Sequence, residues 1–231
     1  MAKRIIVQRR GRGTSTYRVS KKNFRYELKY SPELEGEAEV IKLFNSSVHS
    51  APLAKILFKK KTFYAPAFKG MVEGQKISFS NEIKDGNVVQ LKDIPLKTKV
   101  YNIESRPRDG GTFMKTAGSH ATIHKITEKS ISIMFPSKKE KKLNKNCRAM
   151  IGVVAGAGRL DKPIIKAGKQ HYIKKTKSKL WPRTSAVKMN AIDHPFGSGR
   201  AKNPKSKIAK RNAPPGKRVG LIRPRRTGKK K

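Results

Sequence analysis

Short runs of β-favouring residues recur through the middle of the chain, and apolar and polar positions alternate in several of them. In one run Ile77 and Phe79 share a face, and turn-forming residues such as Lys69-Gly70 separate neighbouring runs. The pattern predicts strands at 37–44, 53–58, 62–65 and 76–79. Short strands at such close spacing predict a small barrel of the OB type.

A second block of short strands follows the turn signal Asp85-Gly86. Ile131, Ile133 and Phe135 occupy every second position of one run, as in a half-buried strand. The predicted strands are 100–105, 130–135 and 150–154, with a turn at 109–111. Because no amphipathic helices lie between these strands, they predict a second barrel rather than a βαβ unit.

Both ends of the chain lose this regularity. After about Lys174, six prolines interrupt any helix, yet Trp181, Met189 and Phe196 are typical of ordered structure. We interpret this segment as an extended arm that takes a definite path when bound. Near the start, residues 8–14 place glycines between arginines, which lets the backbone lie close to a phosphate chain. A solvated flexible tail is the alternative there.

The charge of the chain is strongly positive and is concentrated at its ends. Among 231 residues there are 56 Lys and Arg against 15 Asp and Glu, a formal net charge of +41. Residues 1–26 carry nine bases and no acid, and residues 176–231 carry eighteen bases and one acid. This distribution favours a polyanion as partner. Since both ends have few apolar residues, we expect them to become ordered only when a polyanion neutralises them.

Several classes of protein are excluded by what the sequence lacks. No stretch approaches the roughly 18 apolar residues of a membrane span, and the first residues lack the apolar region of a secretory signal. Cys147, a single cysteine, excludes an internal disulfide and is expected to pack as a small apolar side chain. His120, His124 and His171 have no cysteine pair beside them, so we expect no metal site. These features indicate a cytoplasmic protein.

Two local motifs invite a catalytic interpretation. Residues 152–158 are glycine-rich, but a nucleotide-binding loop needs a helix after it, and Pro163 prevents a long one. We favour a tight turn whose backbone lies against RNA. Asp193 could raise the pKa of His194 and make it an acid–base group, but no nucleophile accompanies the pair. We favour a His194 that hydrogen-bonds RNA or a backbone carbonyl, with Asp193 fixing the turn.

Aromatic side chains stand next to basic ones at several positions, where rings can stack on unpaired bases while arginines hold phosphate. For Phe24 and Tyr26 we leave open whether they stack on bases or belong to the core. The other such groups are Tyr17-Arg18, His171-Tyr172 and Trp181-Pro182-Arg183.

Six segments resemble, in order along the chain, the family of protein two of the large ribosomal subunit in its archaeal and eukaryotic form. The Asp-His-Pro-Phe-Gly run that ends at Gly197, followed by Arg-Asn-Ala-Pro-Pro-Gly, is highly specific to this family. The resemblance covers nearly the whole chain. The matching segments are 8–14, 102–107, 146–149, 151–156, 189–197 and 211–216.

The resemblance implies an OB-like barrel, then an SH3-like barrel, then a C-terminal extension within large-subunit rRNA that reaches toward the peptidyl-transferase region. It also implies a role in holding the two ribosomal subunits together. Since the ribosome's reaction centre is RNA, His194 is expected to be a positioning residue. Two departures from the family are that Ser198 interrupts Gly197 and Gly199, and that residues 200–202 replace the histidines that often follow.

We therefore predict a mainly β, non-enzymatic structural protein with four parts: a basic N-terminal extension at 1–35, an OB-like β-barrel at 36–84, an SH3-like β-barrel at 85–174, and an extended C-terminal rRNA-binding arm at 175–231. We expect a monomer within the cytoplasmic ribosome that contacts rRNA, neighbouring ribosomal proteins and the small subunit, but no membrane. No cofactor is expected, and Mg²⁺ should accompany bound rRNA rather than occupy a protein-only site. The expected rRNA contacts are Arg9, Arg10, Arg12, Tyr17, Arg18, Arg106, Arg148, Arg159, Lys169, His171, Lys174, Lys175, Lys179, Trp181, Arg183, Met189, Asn190, His194, Gly197, Arg200, Arg211, Asn212, Arg218, Arg225 and Arg226.

Two other functions fit parts of the sequence. A DNA-compacting structural protein is also basic and tailed, but it needs neither two barrels nor the loop around His194. An enzyme acting on RNA should show clustered carboxylates for a metal ion. The acidic stretch at 33–39 looks instead like a solvated strand edge, because its glutamates occupy alternate positions.

Overall fold

The computed structural model describes residues 3–30, 35–80, 82–128, 130–199, 207–209 and 211–222. The chain divides into two units. Residues 21–166 form the first, which we call the sheet unit; the described residues of 1–20 and 167–231 form the second, which we call the terminal unit. Among the described residues, no helix has the length and apolar character needed to cross a membrane.

The first sheet of the sheet unit is antiparallel and has the order β3-β2-β1-β4. Along β1, Ala38 and Val40 are buried while Glu37 and Glu39 are exposed, which explains the alternation seen in the sequence. All four predicted strands are confirmed. Glu37 and Glu39 do face solvent, but β1 is an interior strand rather than the predicted edge, and Glu33 lies outside the described residues. The strands are β1 (Glu37–Phe44), β2 (Leu53–Phe58), β3 (Lys61–Pro66) and β4 (Lys76–Ser78).

The second sheet is also antiparallel, with the order β5-β10-β6-β7-β8-β9. Ile131 and Ile133 are fully buried as predicted, but Ser132 between them is buried too, so β8 departs from simple alternation. The sequence did not predict β5, β7 or β9. The strands are β5 (Val88–Gln90), β6 (Lys99–Tyr101), β7 (Ala121–Ile126), β8 (Ser130–Met134), β9 (Glu140–Asn144) and β10 (Arg148–Ile151).

Two apolar clusters hold the sheet unit together. In the first, Ile56 and Val40 from one sheet pack in the same cluster as Tyr101 and Met150 from the other. The second cluster belongs to the second sheet and includes Cys147, which is fully buried as expected. The two sheets therefore share a core. The mainly β fold is confirmed, whereas the OB-like and SH3-like assignments and the four boundaries stay predictions.

The terminal unit has little regular structure and little core. Its elements are α1 (Ile6–Gly11), α2 (Ala167–Thr176) and the parallel pair β11 (Ile208–Ala209) and β12 (Leu221–Ile222). Ile5 and Val219 are its buried large apolar residues within the described part. The sequence missed α2, which crosses the predicted boundary after residue 174, because none of its side chains is buried and it has no apolar stripe.

Candidate nucleic-acid interface

The helix α1 presents three of the predicted contact residues. Arg9 and Arg10 lie in its last turn and Arg12 follows it, and all three are exposed. The Gln8 side chain accepts a hydrogen bond from the Ile5 N–H at 3.1 Å and so fixes the first turn. No described carboxylate forms an ion pair with these arginines, so their charges remain available to an external anion.

The N-terminal segment is tied to the C-terminal segment by polar contacts. The Lys3 N–H donates to the Ile192 carbonyl at 3.0 Å, and Lys3 Nζ lies 3.6 Å from an Asp193 carboxylate oxygen. Farther along, the Ser178 hydroxyl donates to the Arg18 carbonyl at 2.6 Å. Predicted contact residues that are far apart in sequence are thus brought into one unit.

The helix α2 carries a dense group of predicted contacts. The His171 and Tyr172 rings meet edge to face with centroids 5.6 Å apart, and Tyr172 is 67% exposed. An exposed ring of this kind can stack on a base. The basic residues of the last turn suit the negative end of the helix dipole. The predicted contacts of α2 are Lys169, His171, Lys174 and Lys175, followed outside the helix by Lys179, Trp181 and Arg183.

The loop that contains His194 is closed by its own backbone. The Phe196 N–H donates to His194 Nδ1 at 3.1 Å, and the two rings lie 5.0 Å apart. Burial lowers the pKa of His194, so the imidazole is neutral near pH 7 and Nδ1 serves as an acceptor. The interpretation in which Asp193 raises this pKa is wrong, because its carboxylate pairs with Lys3. His194 therefore holds the loop through Nδ1, and Asp193 is engaged with Lys3 rather than with the imidazole.

Two backbone segments of this loop approach each other closely, which explains its glycine. A Cβ on Gly197 would come within 2.4 Å of the carbonyl oxygens of Met189 and Asn190, so no larger residue fits. Ser198, the departure from the family's glycine run, has φ +53° and donates its N–H to the Met189 carbonyl at 3.0 Å. The serine therefore adopts the left-handed backbone that glycine favours.

Three predicted contacts lie in the sheet unit instead. Arg106 is exposed on a loop, Arg159 ends a short 3₁₀ helix, and Arg148 lines a cleft of about 300 Å³ together with Arg108 and Asn146.

Two carboxylates that the sequence analysis did not single out shape the loop around Arg106. Glu104 is fully buried and accepts backbone N–H bonds from Arg148 at 2.8 Å, Gly110 at 3.1 Å and Arg108 at 3.2 Å. The Glu104 carboxylate thereby joins two segments that are far apart in the sequence. The position of Glu104 inside a family motif was its only signal in the sequence.

Asp109 supports the same loop from within. It accepts hydrogen bonds from the Ser105 N–H at 2.8 Å and the Thr112 hydroxyl at 2.9 Å, and also from the Gly111 N–H at 2.9 Å. Burial disfavours the charged form, but the bonds from Ser105, Gly111 and Thr112 outweigh it and lower the pKa of Asp109 to about 2. The carboxylate is therefore ionised at neutral pH and organises the loop.

The remaining catalytic interpretations find no support in the described part of the chain. The glycine-rich segment continues into a 3₁₀ helix, Ala157–Arg159, with no long helix for phosphate binding. No group of three or more His, Cys, Asp or Glu in the described residues could hold a metal ion. Burial raises the pKa of the Cys147 thiol to about 11, which makes it a poor nucleophile.

The structure separates Phe24 from Tyr26. The Tyr26 ring packs against Phe44 and Tyr64, with centroids 4.7 and 4.8 Å away, and is half-buried. Phe24 is 54% exposed and touches only the ring of His49 among the aromatic contacts of the described residues. Tyr26 therefore belongs to the packing of the sheet unit, whereas Phe24 is exposed enough to stack on a base.

The last predicted contacts lie near the C-terminus. Arg218 donates from Nη2 to the Arg211 carbonyl at 3.2 Å, and Asn212 is exposed. Arg200, Arg225 and Arg226 lie outside the described residues.

A family model described as Ribosomal Proteins L2, C-terminal domain, matches residues 84–216, which is more than half of the chain. The large ribosomal subunit protein uL2 of Methanococcoides burtonii is 42% identical, with 100% of both chains covered. This chain belongs to the uL2 family. Two further uL2 proteins are similar to this chain. The uL2 protein of Archaeoglobus fulgidus is 42% identical, with 99% of both chains covered. That of Haloarcula marismortui is 39% identical over 99% of this chain and 98% of its own.

Membership of the uL2 family confirms the resemblance found in the sequence. The matched region, 84–216, includes the second sheet, α2 and the loop around His194. Which individual residues of this uL2 protein touch RNA stays a prediction.

Proposed function

We propose that this uL2 protein is a non-enzymatic structural component of the large ribosomal subunit that binds large-subunit rRNA and supports the architecture of the peptidyl-transferase centre. The observation that carries the proposal is the terminal unit, in which described residues near the N-terminus contact the C-terminal segment. It presents exposed cations such as Arg9, Arg10 and Arg12, which form no ion pair with a described carboxylate. A surface of this kind is suited to a polyanion.

The binding mechanism follows from counterion release. Lys and Arg displace the ions condensed on phosphates, which supplies affinity without regard to sequence. If about ten of the bases contact phosphate, the slope of log affinity against log salt should be of order −7 to −9. Selectivity comes from RNA shape, because an A-form helix hides the base edges of its major groove.

The loop around His194 is proposed to position rRNA and to support association of the two subunits. The neutral imidazole uses Nδ1 within the loop, which leaves Nε2 as a donor that can face RNA. We further propose that the protein acts as a monomer in the cytoplasmic ribosome, next to other ribosomal proteins, and that Mg²⁺ at its surface belongs to the bound rRNA.

Cosedimentation with large subunits tests the proposal. The tagged chain should migrate with large subunits in a sucrose gradient, and treatment with RNase should release it while DNase has no effect. Comigration with DNA that only DNase abolishes would instead indicate a DNA-compacting protein. Turnover of an RNA substrate by the purified chain would contradict the non-enzymatic role.

A further inference from the structure

The sheet unit has a second basic cleft, and none of the predicted contact residues is among those that line it. Its volume is about 470 Å³, and Lys69, Lys97 and Lys99 line it together with Asp85 and Gly152. The three lysines come from two stretches of sequence, one after β3 and one at the start of β6. Tertiary structure alone brings them to a common concave surface.

Backbone hydrogen bonds fix the walls of this cleft. The Lys69 N–H donates to the Val153 carbonyl, the Gly152 N–H to the Lys99 carbonyl and the Lys97 N–H to the Ile123 carbonyl, each at 2.9 Å. The backbone that carries each lysine is therefore held in place before any ligand arrives. Preorganisation of this kind lowers the entropic cost of binding.

Lys97 stands in an unfavourable backbone conformation. Its φ is +64°, in the left-handed region that glycine and asparagine adopt with less strain than lysine. A strained residue of this type points to a functional constraint. Here the residue that bears the strain also brings a positive charge into the cleft.

The cleft has an excess of positive charge that the protein does not neutralise. Lys69, Lys97 and Lys99 are exposed, and none of them forms an ion pair with a described carboxylate. Asp85 is the carboxylate of the cleft, and it sits beside Gly152, where an added Cβ would lie 3.2 Å from Asp85 Oδ1. The three lysines repel each other, and one carboxylate offsets only part of this repulsion. Binding of an anion in the cleft would relieve the rest.

We propose that Lys69, Lys97 and Lys99 form a phosphate-binding cleft that holds the backbone of an RNA segment. Lysine ammonium groups bind phosphate as point charges, without the planar geometry that arginine requires. The choice of RNA as the source of the phosphate rests on the proposed function, whereas the phosphate site itself does not.

A charge-matched pair of variants of the full chain tests the cleft. One variant is K69Q/K97Q/K99Q. The control is K59Q/K60Q/K61Q, which removes the same charge from exposed lysines at the β2–β3 turn, where Lys59 also has positive φ. Binding to large-subunit rRNA is measured over a range of salt concentrations. Each lost phosphate contact reduces the log–log salt slope by roughly 0.7 to 0.9, so the cleft variant should flatten the slope by about 2. The control should change the slope by less than half of that.

A single substitution tests the cleft in a variant that is expected to stay folded. Lys97→Gly removes one charge from the cleft and relieves the left-handed backbone, so the fold should be kept or stabilised. It should still flatten the slope by about 0.7 to 0.9. Equal slopes for K69Q/K97Q/K99Q and its control would overturn the proposal, because the lysines would then act only as general surface charge.

Titration with inorganic tripolyphosphate separates the two sources of phosphate. Amide NMR signals of Lys69 and Gly152 should shift with tripolyphosphate in the wild-type chain and not in K69Q/K97Q/K99Q. If they do so while rRNA binding is unchanged by the triple substitution, the cleft takes a free phosphate compound and RNA is not its ligand. If wild-type protein fails to bind rRNA but shows these shifts, the proposed function fails and the phosphate site stands. Absence of shifts together with unchanged rRNA binding would rule the site out.

Discussion

At the scale of single residues, His194 stabilises the conformation of its own loop. Its Nδ1 accepts the Phe196 N–H, and burial keeps the ring neutral. The Asp-His-Pro-Phe-Gly motif made the residue stand out in the sequence, but only the structure shows that Asp193 turns to Lys3 instead of assisting the imidazole. Ser198 likewise departs from the family at sequence level and yet keeps the left-handed backbone of a glycine.

Substitution of His194 should impair assembly and leave chemistry intact. His194→Ala removes the acceptor for the Phe196 N–H, at a cost of about 0.5–1.5 kcal/mol to the loop, whereas His194→Asn keeps an acceptor at a similar distance from the backbone. We expect the alanine variant to enter large subunits poorly and the asparagine variant to enter them nearly as well as wild type, measured by gradient sedimentation. Normal assembly of the alanine variant combined with loss of peptide-bond formation would reverse this assignment.

Asp109 should make the stability of the sheet unit depend on pH in the acid range. Its folded pKa of about 2 lies below the ordinary 3.8, so its contribution is fully present above pH 4 and is lost as pH falls toward 2. Asp109→Asn should therefore destabilise the protein at pH 7, by roughly 1–2 kcal/mol after allowance for partial exposure, and by much less near pH 2. Urea unfolding of both proteins from pH 7 to pH 2 measures the difference. A difference that is constant over this range would contradict the assigned role.

At the scale of elements, the sequence predicts β-strands well where apolar and polar side chains alternate. It predicts them less well where pairing with a neighbouring strand determines whether the strand forms. β1 and β2 follow their apolar pattern, but β9 is polar apart from Leu143, the one residue it buries. It forms because β8 offers it a hydrogen-bonding edge, with Ile131 opposite Leu143. The helix α2 escaped prediction for a related reason: it buries none of its side chains and so leaves no periodic signal.

The arginines of α1 and the C-terminal segment should act together on RNA. Replacing Arg10, Arg12 and Arg183 with alanine removes three exposed charges of the terminal unit and should flatten the salt slope of rRNA binding by about 2 to 3. Filter binding at several salt concentrations measures the slope, and K59Q/K60Q/K61Q again serves as the charge-matched control. A slope that stays at the wild-type value would remove these three arginines from the phosphate contacts.

At the scale of the whole molecule, the two units differ in what stabilises them. The sheet unit has two apolar clusters, whereas the described part of the terminal unit buries Ile5 and Val219 as its large apolar side chains. Contacts such as Lys3 to Ile192 are hydrogen bonds to backbone, which contribute little net free energy in water. The conformation of the terminal unit should therefore depend on bound RNA.

Limited proteolysis tests this difference. In the free protein, trypsin should cleave within 1–26 and 176–231 while the region 36–151 resists, and rRNA should protect the ends. Mass spectrometry of the fragments locates the cuts. Ends that are equally protected with and without rRNA would show that the terminal unit is stable by itself.

The sequence by itself determined the features that depend on neighbouring residues: the alternating strands, the turns at Asp85-Gly86 and 109–111, the charge of both ends and the family. Only tertiary structure decided which distant residues meet. It turned Glu104 into a buried acceptor for Arg148, joined Lys3 to Asp193, and placed Lys69 beside Lys97 and Lys99. The physical reason is that a strand pattern records which face is buried, whereas the position of a charge in space depends on how the whole chain folds back on itself.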